Sequence, residues 1–236
     1  MLRLATCIAL VTGCDYAFRI DKVSAIDIDA AIDAPAQPIL FVNNESNVCS
    51  ATTCSVTADI IPGDLIVVTF SSNNPVSNFS SVSDTVGNVF EPVAPPSSWP
   101  LSPYRTEQWY VRNAIGGTKV TVTAHVAGTG TFVYLYVDEY MGASTSDPLD
   151  QVSVASGTTG DMVSSGAKQI QSNRELIFGH AEGMGVSVTG GPGFTVRSLV
   201  GGNTEEDRTV MAIDTYEATF MVSPPGEWIA MMTTFR

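Results

Sequence analysis

Few side chains in this chain are suited to moving protons or binding metals. There are only two histidines, His125 and His180. His125 shares the parity of Lys119, Thr121 and Thr123 in an alternating segment, which predicts a solvent-facing position on a strand. His180 follows a strand predicted over 176–179 and precedes Glu182. No G-x-S-x-G, H-E-x-x-H or phosphate-binding glycine loop is present, so no catalytic residue, cofactor or metal is expected. Carboxylates need a separate weighing, because glycan hydrolases work with two of them flanking the scissile bond. Glu139 has the parity of Val133, Leu135 and Val137, which points it inward at a strand end. Its simplest role there is a buried carboxyl paired with an arginine or with backbone amides. The run Glu205-Glu206-Asp207 follows a glycine turn and reads as a solvated loop, or at best a weak Ca²⁺ site without EF-hand spacing.

Aromatic residues are the other source of recognition chemistry. Trp99, Tyr104, Trp109 and Tyr110 fall within twelve residues, around Pro95-Pro96 and Pro100. A ring with an apolar face and a polar tip suits sugar stacking and protein contact, and it suits core packing equally well. Trp109 and Tyr110 lie on a predicted strand over 108–111, where alternation sends them to opposite faces. Trp99 and Tyr104, outside that strand, are expected to be the exposed pair and to touch a glycan or a partner protein.

The elements that must carry these residues start with an address. Met1-Leu2-Arg3 places one positive charge before an apolar run of about ten residues, half of the roughly 20 that a bilayer span needs. That pattern predicts a short signal peptide over 1–13. Val11-Thr12-Gly13-Cys14 resembles a bacterial lipobox, with an aliphatic residue, two small residues and then cysteine. The family pattern favours Leu where Val11 stands. The resemblance implies that Cys14 is lipidated, becomes the first mature residue and anchors the chain in the envelope of a Gram-negative bacterium. Asp15, which follows, is associated in enteric-type lipoproteins with retention at the inner membrane, and the choice of membrane stays open.

Cys7 lies in the signal segment, so Cys49 and Cys54 remain as a pair in an exported domain. The four residues between them can form a short turn, and a disulfide is expected there. A metal site would need more ligands than C-x4-C supplies. Residues 14–38 form an Ala-, Asp- and Pro-rich spacer, self-repelling and extended. Its span is about 80 Å when stretched and ~25–30 Å as a coil.

From residue 39 to 236 the β signals are nearly continuous. The run 65–70, Leu-Ile-Val-Val-Thr-Phe, after the turn Pro62-Gly63-Asp64, suits a strand buried on both faces. Residues 119–126 alternate strictly, with Val120, Val122, Ala124 and Val126 on one face. Residues 132–137 form a further strand. Turn signals recur every 8–14 residues, and no exact internal repeat or second linker is visible. This predicts an all-β domain, an antiparallel two-sheet β-sandwich of jelly-roll type. Acidic residues number 24 against 11 basic, a net charge of −13, which argues against nucleic-acid binding.

A second resemblance rests on Gly63-Asp64-Leu65-Ile66-Val67-Val68, Ser83-Asp84-Thr85-Val86-Gly87-Asn88-Val89-Phe90, Gln108-Trp109-Tyr110-Val111-Arg112-Asn113-Ala114, Glu139-Tyr140-Met141-Gly142 and the closing 228–235 segment. Together they look like a bacterial extracellular β-sandwich module. That resemblance implies fold and location and brings no catalytic motif. The expectation is a non-catalytic surface-display or interaction module held at a membrane by its lipid. Its partner would be a neutral glycan or an envelope protein. The alternatives are a carbohydrate-binding module and a carboxylate-based glycan hydrolase.

Overall fold

The computed structural model describes residues 38–73, 80–126 and 132–236. The signal segment 1–13, Cys14 and the spacer up to residue 37 lie outside the described residues.

The strands follow from hydrophobic periodicity. The first eight are β1 (Leu40–Cys49), β2 (Thr53–Ile60), β3 (Leu65–Ser72), β4 (Ser80–Asp84), β5 (Glu91–Pro92), β6 (Arg105–Val111), β7 (Gly117–Val126) and β8 (Val133–Met141). The next eight are β9 (Leu149–Gly157), β10 (Met162–Ser164), β11 (Glu175–Gly183), β12 (Ser187–Gly190), β13 (Thr195–Ser198), β14 (Thr204–Val210), β15 (Thr219–Ser223) and β16 (Trp228–Phe235). Short two-residue pairings supplement them, Ser97–Ser98 against β6 and Lys168–Gln169 against Thr215–Tyr216.

All the pairings are antiparallel, and the chain is an all-β sandwich. The sandwich occurs twice. In the first set one sheet runs β1-β8-β3-β6-β5 and another β2-β7-β4. In the second set one sheet runs β9-β16-β11-β14-β13 and another β10-β15-β12. Adding eight to each strand number of the first set gives the second. Within each set the strands alternate between sheets except the fifth, which stays in the large sheet beside the sixth, and the first strand pairs with the last, a jelly-roll-like order.

Three cores hold this stack together. One lies inside the first sandwich around Ile66, Val68, Phe70, Val120 and Val122. One lies inside the second around Ile177, Ala181, Phe220 and Met232. The third joins the two large sheets through Leu65, Val67, Tyr110, Tyr140, Leu176, Phe178 and Phe235. β3 is therefore buried on both faces along its whole length, as its unbroken apolar run requires. β7 needs only one buried face and shows the expected alternation, with Thr121, Thr123 and His125 half-buried.

The register makes the two halves correspond residue by residue. Leu65 pairs with Tyr140 and Leu176 with Phe235. Ile66 pairs with Val111 and Ile177 with Arg208. Tyr110 is thus the counterpart of Asp207, Gln108 of Glu205, and Asp138 of Thr233. Contacts across the seam obey the same correspondence. Tyr110 packs on Phe235 at 5.7 Å between ring centres, while Asp207 lies beside Tyr140. Thr233 donates a hydrogen bond to Gln108, while Asn44 bridges Asp138 to Glu205. A pseudo-twofold axis along the strands relates the two sandwiches.

Candidate functional site

The seam between the large sheets is apolar toward one end and polar toward the other. At the first end lie Leu65, Tyr140, Leu176 and Phe235. Further along, the inward parities of β3, β6 and β8 supply Thr69, Thr106, Gln108, Tyr136 and Asp138, all buried. Those of β11 and β14 supply His180, Glu182 and Glu205, also buried.

His180 is the hub. Its Nε2 lies 2.8 Å from Glu182 Oε1, and its Nδ1 lies 3.5 Å from Glu205 Oε1. The longer contact is a charge contact rather than a hydrogen bond. The second oxygen of Glu182 accepts from Thr106 Oγ1 at 3.2 Å, and Thr106 accepts from the Trp99 indole N–H at 3.2 Å. Asn44 donates to Asp138 Oδ1 at 2.9 Å and to Glu205 Oε2 at 3.1 Å. Tyr136 packs edge-to-face with the imidazole, ring centres 5.2 Å apart, donates to the Val200 carbonyl and accepts from Asn203. Gln108 Nε2 donates to Thr69 Oγ1 at 3.1 Å.

Electrostatics sets the protonation here. Burial alone would discharge His180, but Glu182 and Glu205 outweigh it and lift the imidazole from 6.5 to about 9. Burial, with the Glu205 carboxylate next to it, holds Asp138 well above the ordinary carboxylate range. On the opposite face of β14, burial raises Glu206 to about 7 against one backbone hydrogen bond from Gly191. An imidazole between carboxylates has the composition of a general acid–base site. Asp138, His180, Glu182 and Glu205 are each at most 1% exposed, however, so no polymer reaches them. Among the described residues no three His, Cys, Asp or Glu are arranged to hold a metal ion.

The residues singled out in the sequence fall as follows. Cys49 and Cys54 form a disulfide with 5.4 Å between Cα atoms, joining the end of β1 to the start of β2. Trp109 and Tyr110 face opposite ways, Trp109 half-buried on the first core and Tyr110 buried in the seam. The expected exposed pair does not form. Trp99 is only 7% exposed, its ring packed on half-buried Tyr104 at 5.8 Å and its N–H bonded to Thr106. The loop is pinned from the other sandwich, since the Glu227 carboxylate accepts from the N–H groups of Leu101 and Ser102 and from the Ser102 hydroxyl.

The acidic run corrects a second expectation. Glu205, Glu206 and Asp207 form the middle of strand β14 and are 0%, 0% and 3% exposed. Each carboxyl has a partner, His180 and Asn44 for Glu205, the Gly191 N–H for Glu206 and a two-pronged Arg197 for Asp207, although for Glu206 burial outweighs its single hydrogen bond. Glu139 points inward as expected, accepting from the Ile61 N–H at 2.6 Å and from Asn43 at 2.8 Å. The role of His180 was missed, although one signal pointed to it. His180-Ala181-Glu182 places two ionisable groups on one face of a segment that is otherwise apolar. No protein-family model, no curated protein and no solved structure matches the chain.

Proposed function

We propose that the chain is a lipid-anchored, non-catalytic module of the Gram-negative cell envelope that displays a rigid double sandwich for contact with other envelope components. The observation that carries the non-catalytic reading is the closure of the His180 cluster. This imidazole between carboxylates is sealed between two sheets and linked to a pinned loop. The burial of Trp99 tells against sugar stacking on the Pro-rich loop, and the burial of Glu139, Glu205 and Glu206 tells against a glycan hydrolase. The anchor rests on Val11-Thr12-Gly13-Cys14 after a short apolar run. Stable anchoring takes more than one acyl chain, each buried methylene contributing about 0.8 kcal/mol. Phase separation in a cloud-point detergent tests this reading. Wild type is expected in the detergent phase, and Cys14→Ser in the aqueous phase or as an unprocessed precursor. Wild type in the aqueous phase would refute the anchor.

A further inference from the structure

The first described residue, Pro38, enters the fold at one particular end. Its carbonyl lies beside Gly142, just past β8, and Ile39 is buried in the seam core with its carbonyl bonded to the Thr209 hydroxyl at 2.6 Å. The strands of the large sheets fix what else lies at this end. β6 and β14 both run toward it, and each is followed by a loop containing Ala-Ile, at 114–115 and at 212–213. Ile115 and Ile213 are both 55% exposed. Val89, 75% exposed, accompanies Ile115, whose N–H bonds to the adjacent Asn88. Met211, 59% exposed, accompanies Ile213. Equivalent loops of the two sandwiches thus carry apolar tips on either side of the point where the N-terminal segment joins.

We propose that this end is seated on a phospholipid bilayer surface, with Val89, Ile115, Met211 and Ile213 in the interfacial layer. The inference rests on the lipid-anchor reading above. A tether joined at this end supplies local concentration, and the apolar tips supply the orientation. Charge does not oppose the contact. Residues 39–236 contain 19 acidic and 8 basic residues, but ten of the acidic ones are buried, leaving nine at the surface beside eight basic. The opposite end also bears apolar tips, Leu101 and Leu199, but the chain does not enter there. It faces away from the membrane and is the control.

The test uses the full chain, with acylation of Cys14 read by intact mass, reconstituted in phosphatidylcholine vesicles with brominated acyl chains. Ile115→Trp, Ile213→Trp and Leu199→Trp are compared, with wild-type fluorescence subtracted. Tryptophans at 115 and 213 should lose about half their emission to a quencher located in the acyl region, while that at 199 should be unchanged. Acylated protein with no quenching at 115 and 213, or with equal quenching at 199, overturns the seating and leaves the anchor standing. A Cys14 without acyl chains overturns the anchor, and the seating with it.

Discussion

The charge state of His180 depends on two carboxylates and is sealed from water, and this gives the chain an unusual pH profile. His180 is raised above its ordinary 6.5 to about 9, so its stabilisation is complete below 6.5 and is lost as pH rises through 9. Glu206, raised to about 7, and Asp138, raised by burial and by Glu205, favour the fold while protonated. Their contribution declines as pH climbs from the ordinary carboxylate range toward their folded values. Glu227 works the other way. Burial would raise it, but the hydrogen bonds from Ser102 and Leu101 prevail and hold it below 4.5, so its stabilisation is lost as pH falls through that lower value. The melting temperature should therefore peak near pH 5. By pH 9 it should fall by several degrees, each ~1 kcal/mol corresponding to about 2–4 °C in a domain of this size. Differential scanning calorimetry at pH 5 and pH 9 checks this, and equal or higher stability at pH 9 contradicts it.

At the scale of strands and loops, Trp99 belongs to packing and should behave accordingly. Trp99→Ala should destabilise by about 3–5 kcal/mol, the usual cost of emptying a buried tryptophan site. Denaturant titration measures it, and a change under about 1 kcal/mol would return Trp99 to the candidates for surface recognition. The Cys49–Cys54 bridge closes a very short loop, so reducing it should cost only about 2 kcal/mol. A melt with and without reductant reads that difference, and loss of folding on reduction would contradict it. The strands that could be read from the sequence were those driven by apolar burial. β3 appears as an unbroken apolar run and β7 as strict alternation, and both fold that way. β14 could not be read because Thr-Glu-Glu-Asp-Arg carries the composition of a loop. Its buried carboxyls are met by partners elsewhere in the chain, with Asn44, Arg197 and the Gly191 N–H donating hydrogen bonds to them and His180 lying against Glu205. Trp99 misled for a related reason, since the carboxylate that pins its loop lies 128 positions away at Glu227.

For the whole molecule, the duplication was hidden because it survives in strand order and register more than in residue identity. Asp64-Leu65-Ile66 against Glu175-Leu176-Ile177, and Ala114-Ile115 against Ala212-Ile213, are the short echoes the sequence retains. The net charge of −13 was also misleading about the surface, because more than half the carboxyls of residues 39–236 lie inside. A nearly balanced exterior around a braced, doubled sandwich fits a module that holds a position and presents loops at its ends. The proposed role depends on the chain being tethered. The most direct measurement is the intact mass of the protein extracted from the cell envelope under non-reducing conditions. A mature chain beginning at Cys14, carrying acyl chains and lacking the two hydrogens removed by the Cys49–Cys54 bridge, is the expected result. A mature chain beginning elsewhere, or an unmodified Cys14, would contradict it.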